Sequence, residues 1–224
     1  MDYDVRSHLR QVKDSLSEDV CLVAISKFHP NEHIMAAYEE GQRVFGESHE
    51  QELARKHESL PADIIWHFIG HLQSNKVRFI VPYISMIESV DSIKLMREIN
   101  KQAAKIDRVI DILIELHIAE EETKYGFTPD ACRQLFVDGQ WREMTNIRIR
   151  GLMMMASNTD DEAQIRSEFL QAKELFDEIK ANHFAADDSF NLRSWGMSDD
   201  YPIACQCGSN MVRVGTLIFG PRVY

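Results

Sequence analysis

The stretch CLVAISKFHPNEHIMAAYEEG, residues 21–41, holds the unit from which the rest of the chain is built. Cys21 to Ile25 is an apolar run that reads as a buried strand. It stops at Ser26-Lys27, turns, and gives way to a helical pattern. Asn31 is placed to cap that helix and Gly41 to end it.

Working outward, the same alternation recurs along the chain. Strand-like runs fall at 21–26, 43–46, 64–69, 85–90, 109–118, 147–152, 191–195 and 211–214. Residues 48–58 are helical by propensity. Asp91 is expected to cap a long helix with Ile93, Met96, Ile99, Ala103 and Ile106 on one face. Thr159 and Glu162 form a capping-box pattern. Behind it, Ile165, Phe169, Ala172, Phe176 and Ile179 make a core-facing helix stripe rather than a cofactor box. Strands alternating with helices build a parallel sheet with helices outside. Eight such strands imply the α/β class, as a single (β/α)8 TIM-type barrel with an extra N-terminal helix. Residues 1–224 read as one domain, with the helix in 1–18 and the barrel in 21–220. An open doubly wound sheet competes, but no GxGxxG follows the first strand.

Bulk composition bounds the function. The 224 residues carry 25 basic and 36 acidic side chains, a net charge of −11. That balance argues against non-specific nucleic-acid or anionic-membrane binding. No segment approaches the ~18 apolar residues of a membrane span. The N-terminus is charged and amphipathic, unlike a signal peptide, so a cytoplasmic protein is expected. Cys21, Cys132, Cys205 and Cys207 form no CxxC pair and read as reduced thiols. His67 and His71 bracket a strand end without the glutamate of HExxH, so no metal is expected. Glu120 to Glu122 reads as a solvated loop.

In such a barrel the site lies at the C-terminal ends of the strands. Strand one closes on Lys27, strand two on Gly46-Glu47-Ser48, and strand three carries His67. Strand six ends in Gly151-Leu152-Met153. Strands seven and eight end in Ser194-Trp195-Gly196-Met197-Ser198 and Arg213-Val214-Gly215-Thr216. The two last loops, with glycines and small hydroxyls, suit a phosphate. Ser198 is equally a plain helix cap. Lys27 then has three readings: an ion pair with Glu47, a counter-charge for the phosphate, or an amine that forms a Schiff base. Pyridoxal phosphate (PLP) supplies both an aldehyde and a phosphate. The residue types alone leave all three open.

The blocks VAISKFHP, RVFGESHEQE, WHFIGHLQSNK, IRIRGLMMMA and WGMSDDYPIACQCGSNMVRVGTLIFGPRVY resemble the YggS/PROSC family of PLP homeostasis proteins. That family is related to the barrel domain of bacterial alanine racemase, and the likeness runs from about Leu22 to Tyr224. The resemblance implies that PLP is held as an aldimine at Lys27. It implies Ser198, Gly215 and Thr216 around the phosphate, with Ser194, Gly196 and Met197 in the same wall. Arg213 would lie beside the pyridine nitrogen, His67 and Met153 near the ring, and Lys124 at the mouth. The family's usual Gly-Glu-Asn is Gly46-Glu47-Ser48 here, so Ser48 reaches less far towards the ring. Trp195 should point away from the lumen if Ser194 points into it.

A carboxylate facing the ring nitrogen keeps it protonated and so strengthens PLP as an electron sink; a guanidinium only donates hydrogen bonds and cannot do that, although racemases of the related fold work this way. In the related racemase a second, all-β domain and a partner subunit supply a catalytic tyrosine. This sequence ends at Tyr224, just after strand eight. The expectation is therefore a PLP carrier with no catalytic residue, a monomer or weak dimer, passing PLP to apo-enzymes. The alternatives are a racemase-like PLP enzyme, a Schiff-base aldolase, or a scaffold without ligand.

Overall fold

A computed structural model describes residues 3–118 and 125–221. Lys124, expected at the mouth, Glu120 to Glu122, read as a solvated loop, and Tyr224 lie outside the described residues. The strands are β1 (Cys21–Ile25), β2 (Val44–Glu47), β3 (Ile65–Phe68), β4 (Met86–Val90), β5 (Ile110–Leu116), β6 (Ile147–Met154), β7 (Leu192–Ser194) and β8 (Met211–Val214). They pair in parallel in chain order and close, β8 against β1, into an eight-stranded barrel.

A helix leads the chain and one follows each strand: α1 (Val5–Asp14), α2 (Asn31–Glu39), α3 (Glu50–Ser59), α4 (Val77–Ile80), α5 (Ile93–Ala104), α6 (Pro129–Asp138), α7 (Glu162–His183), α8 (Tyr201–Gln206) and α9 (Thr216–Phe219). The period-two alternation of the strands separates two cores. Val23, Ile25, Met86, Leu113, Met153 and Met211 fill the lumen. Ala24, Phe45, Trp66, Ile87, Ile112 and Val212 face the helices, which return Ile165, Phe169, Ala172, Phe176 and Ile179 from α7.

Three caps differ from the sequence expectation, each because the expected side chain is engaged elsewhere. Asn31 is already helical and donates to Ser59 Oγ at 2.9 Å. Asp91 receives His71 Nδ1 at 3.0 Å, and Ser92 caps α5 instead by accepting the Leu95 N–H. Thr159 Oγ1 accepts the Asp161 N–H, and Asp161 caps α7 by accepting from Ala163 and Gln164. On α5 the buried face is Leu95, Met96, Ile99 and Ala103, while Ile106 lies beyond the helix and is 44% exposed.

Candidate functional site

The seam where β7, β8 and β1 meet is assembled from small residues. Ser194 and Trp195 are fully buried, with Trp195 in the outer core and the Ser194 hydroxyl in the lumen. Gly196 has φ +97°, a left-handed setting, and an added Cβ would lie 2.7 Å from Ala204 Cβ. The loop then bends back: the Met197 N–H donates to Asp200 Oδ1 at 2.5 Å, while the Met197 side chain is exposed. Burial pushes the Asp200 carboxyl up from its ordinary value, against that N–H and Arg213. Asp200, not Ser198, precedes α8. Ser198 Oγ instead accepts the Gly215 N–H at 3.3 Å, tying the β7 loop to the β8 turn. A Cβ on Gly215 would stand 3.2 Å from both Cβ and O of Ile25, so this turn packs onto the end of β1. Thr216, exposed, opens α9.

Beneath that seam runs a polar network that crosses the lumen. Arg213 Nη1 donates to the carbonyl and to the hydroxyl of Ser194, both at 2.7 Å. Its Nη2 donates to the Met154 carbonyl at 2.8 Å. The Ser194 hydroxyl donates onward to Glu88 Oε2 at 2.5 Å. Glu88 Oε1 meets His67 Nδ1 at 2.7 Å, and Glu88 Oε2 is 3.9 Å from Arg213 Nη1. A carboxylate only accepts, so Nδ1 carries the hydrogen and Nε2 of a neutral His67 is an acceptor. Burial alone would push the Glu88 carboxyl up, but His67, Arg213 and Ser194 outweigh it and hold it below its ordinary value. Burial pulls the Arg213 guanidinium down while Glu88, Asp200 and Glu115 pull it back. The guanidinium has five donors. Three are spent on Ser194 and Met154, and Nε–H with the second Nη2 hydrogen meets no protein acceptor among the described residues.

Glu88 and Glu115 were not singled out from the sequence. Each had a signal: a glutamate in a mostly apolar strand, two residues beyond a lumen-facing Met86 or Leu113. Glu115 is buried, and burial with Asp91 pushes its carboxyl up to about 7, against the pull of Arg213.

Lys27 is half-buried in the turn that follows β1. The turn behind it is built by charges in the helix layer. Lys56 Nζ donates to the Ser26 carbonyl at 2.8 Å, to Glu47 Oε1 at 2.8 Å and to Glu52 Oε1 at 2.7 Å. The Ser26 hydroxyl also donates to Glu47 Oε1, and Glu52 Oε1 accepts the Phe28 N–H. Phe28 holds φ +67°, rare for a non-glycine residue. Glu47, read from the sequence as a candidate partner of Lys27, therefore faces outward and is gripped by Lys56.

Among the named positions, the structure joins Ser194 to Arg213, His67 to those two through Glu88, and, separately, Ser198 to Gly215. Met153 lies in the lumen core. Ser48 sits to one side, 3.2 Å from His49 Nδ1, lining a cleft with His71 and Lys76. No cluster of three or more metal-ligating side chains occurs among the described residues. No helix among them is long and apolar enough to cross a membrane.

Comparison with known proteins bears on this geometry. Residues 4–223 match the family described as alanine racemase, N-terminal domain. The chain is 37% identical to the pyridoxal phosphate homeostasis protein of Aquifex aeolicus, covering 91% of this chain and 87% of that one. It is 36% identical to the protein of that name from Schizosaccharomyces pombe, covering 97% and 90%. The structure of PipY of Synechococcus elongatus with PLP bound superposes with a TM-score of 0.88 at 32% identity, over 96% of this chain and all of that one. An alanine racemase of Clostridium difficile, 15% identical, shares the fold with a TM-score of 0.75, over 97% of this chain and 56% of its own. A closed barrel matched over nearly its whole length by such relatives belongs to the pyridoxal phosphate homeostasis protein family, built on the alanine racemase N-terminal domain.

Proposed function

We propose that this protein binds PLP at the C-terminal mouth of its barrel and acts as a cytoplasmic carrier in vitamin B6 homeostasis rather than as an enzyme. Lys27 is assigned the aldehyde, as a lysine aldimine. Ser198, Gly215 and Thr216 are assigned the phosphate, with Ser194, Gly196 and Met197 in the same wall. Arg213, His67, Met153 and Ser48 are assigned the surroundings of the ring. In this role the protein works as a monomer or weak dimer, and PLP-dependent apo-enzymes are the recipients.

The residues fit such a ligand. The β7 and β8 turns bring two small hydroxyls to one seam: Ser198, which accepts the Gly215 N–H at 3.3 Å, and Thr216, which is exposed. That is what an anion at a barrel mouth needs. The observation that carries the reading is the unspent donor edge of Arg213. A guanidinium stays charged and only donates, so it suits an acceptor nitrogen or oxygen on the ligand. Bound PLP supplies an electron sink for carbanions, and enzymes strengthen that sink with a carboxylate at the ring nitrogen. Of the two lumen-side carboxylates, Glu88 is turned to His67, Ser194 and Arg213, and burial pushes Glu115 towards its neutral form. That arrangement favours holding PLP over activating it. The PLP-bound PipY relative adds weight.

The test is the absorption spectrum of the purified, PLP-loaded protein with and without Lys27→Ala. Wild type should show an aldimine band that the variant lacks. After hydride reduction, mass spectrometry should place the cofactor's added mass on the Lys27 peptide. Its absence there would remove the assignment. Turnover of alanine at enzyme-like rates would remove the carrier role and favour a racemase-like enzyme.

A further inference from the structure

We infer that Glu88 is a positioning residue: it sets the orientation of Arg213 and the tautomer of His67 as one unit, so that both meet the ligand ready-made. The inference rests on the PLP-binding reading above and goes one layer deeper into the barrel.

Glu88 is fully buried on β4, on the lumen side shared with Met86. Its two oxygens divide their work. Oε1 holds His67 of β3, and Oε2 holds the Ser194 hydroxyl of β7, with Arg213 of β8 at 3.9 Å. Because the Ser194 hydroxyl gives its hydrogen to Glu88, its lone pairs are left to accept from Arg213 Nη1. The carboxylate thus fixes which way the hydroxyl donates, and the hydroxyl fixes which edge of the guanidinium is spent. The edge that remains, Nε–H and one Nη2 hydrogen, is the one offered to a ligand. Likewise, with Nδ1 committed to Glu88, the nitrogen that His67 has left is Nε2.

Stability alone is a poor reason for this carboxylate. Replacing a buried ion pair with apolar groups of similar volume is often neutral or stabilising. The same lumen holds Met86, Met153 and Met211 in comparable places. Removing Glu88 alone, however, would leave Arg213 buried with its charge unbalanced and free to turn. Pre-set donors cost a ligand less reorganisation on binding.

Glu88→Gln tests this in the full-length, PLP-loaded protein. Glutamine keeps the shape but loses the charge, and it brings a donor where only an acceptor stood. Lys27 should still capture PLP, with the same modified peptide after hydride reduction. The absorption maximum should shift, and PLP should leave roughly tenfold faster or more. Arg213→Lys should produce a change of the same sign, and the double variant should add little to either, as expected for residues acting as one unit. A folded Glu88→Gln protein with the wild-type maximum and release rate overturns the inference. If Glu88→Gln does not fold, Ser194→Ala decides, since it cuts the bridge and keeps both ions. A wild-type maximum in that variant also overturns it. Failure of the underlying reading looks different: the wild-type protein itself would show no Lys27-linked band.

Discussion

Two buried titratable groups, Glu115 and Lys56, shape stability at the scale of single residues. Glu115, pushed up to about 7 from 4.5, holds its proton in the folded chain where an unfolded chain would have lost it. Its contribution to stability is whole below pH 4.5 and is lost as pH rises through about 7. The loss amounts to about 3 kcal/mol at most. The ligand-free protein should therefore have a lower urea midpoint at pH 8 than at pH 5. Glu115→Gln should flatten that difference, and an unchanged slope in the variant would refute the cause. Lys56 is the second. It sits between Glu47 and Glu52, and the other oxygen of Glu47 has no hydrogen-bond partner among the described residues. Burial pushes the Glu47 carboxyl up and Lys56 pulls it down. Lys56→Met strands Glu47, at a cost of about 3–5 kcal/mol. Adding Glu47→Gln should recover most of it. Urea unfolding of the two single variants and the double variant reads this out; additive losses would show that the two do not act as a pair.

Elements were legible where their patterns are long-range averages and illegible where one side chain decides. All eight strands lie where apolar runs were read, because burial on both faces leaves a strong signal. The α7 stripe was equally plain. Caps shifted by a residue or two because Asn31 and Asp91 bond to residues 28 and 20 positions away, and Thr159 accepts the N–H of Asp161, which takes the cap itself. The strand-end residues of the candidate site could be named, since a barrel exposes those ends. Glu88 was not named, because it lies one layer below the rim and works through neighbours on β3, β7 and β8 that are 21 to 125 positions away. Gly151 shows how strictly one element can depend on one residue. It holds φ +152°, and an added Cβ would fall 1.8 Å from the Leu192 carbonyl on β7. β7 is only three residues long and has little ladder with which to resist. Gly151→Ala should cost about 3 kcal/mol or more, seen as a drop in Tm, and should disturb Ser194 and Met154 enough to weaken ligand binding. A Tm within error of wild type would mean that β6 and β7 part without penalty.

The closure of the whole molecule rests on an exchange between the two ends of the described chain. A TIM-type barrel covers its last strand with a helix, but α9 after β8 has four residues. The leading helix α1 lies against α9 and α2 instead, over the β8–β1 seam that the proposed site uses. Its Val5, Leu9 and Val12 are buried in the main core. The Tyr3 hydroxyl donates to the Leu217 carbonyl at 3.1 Å, and Arg10 pairs with Glu40 at 2.7 Å. Exposed pairs of that kind contribute about 0–1 kcal/mol, so the apolar face must do most of the holding. Leu9, fully buried, is its centre. Leu9→Ala should cost about 2–5 kcal/mol by loss of contacts and the cavity left behind. If α1 is part of the barrel's single cooperative unit, the urea midpoint falls and the slope stays the same. Were α1 an appendage, the variant would fray locally, shown by faster amide exchange in residues 5–14, while the global midpoint stayed at its wild-type value. Because α9 begins at Thr216, the first outcome also ties the proposed phosphate turn to the N-terminal helix: the same variant should release PLP faster, with Lys27 and Arg213 untouched.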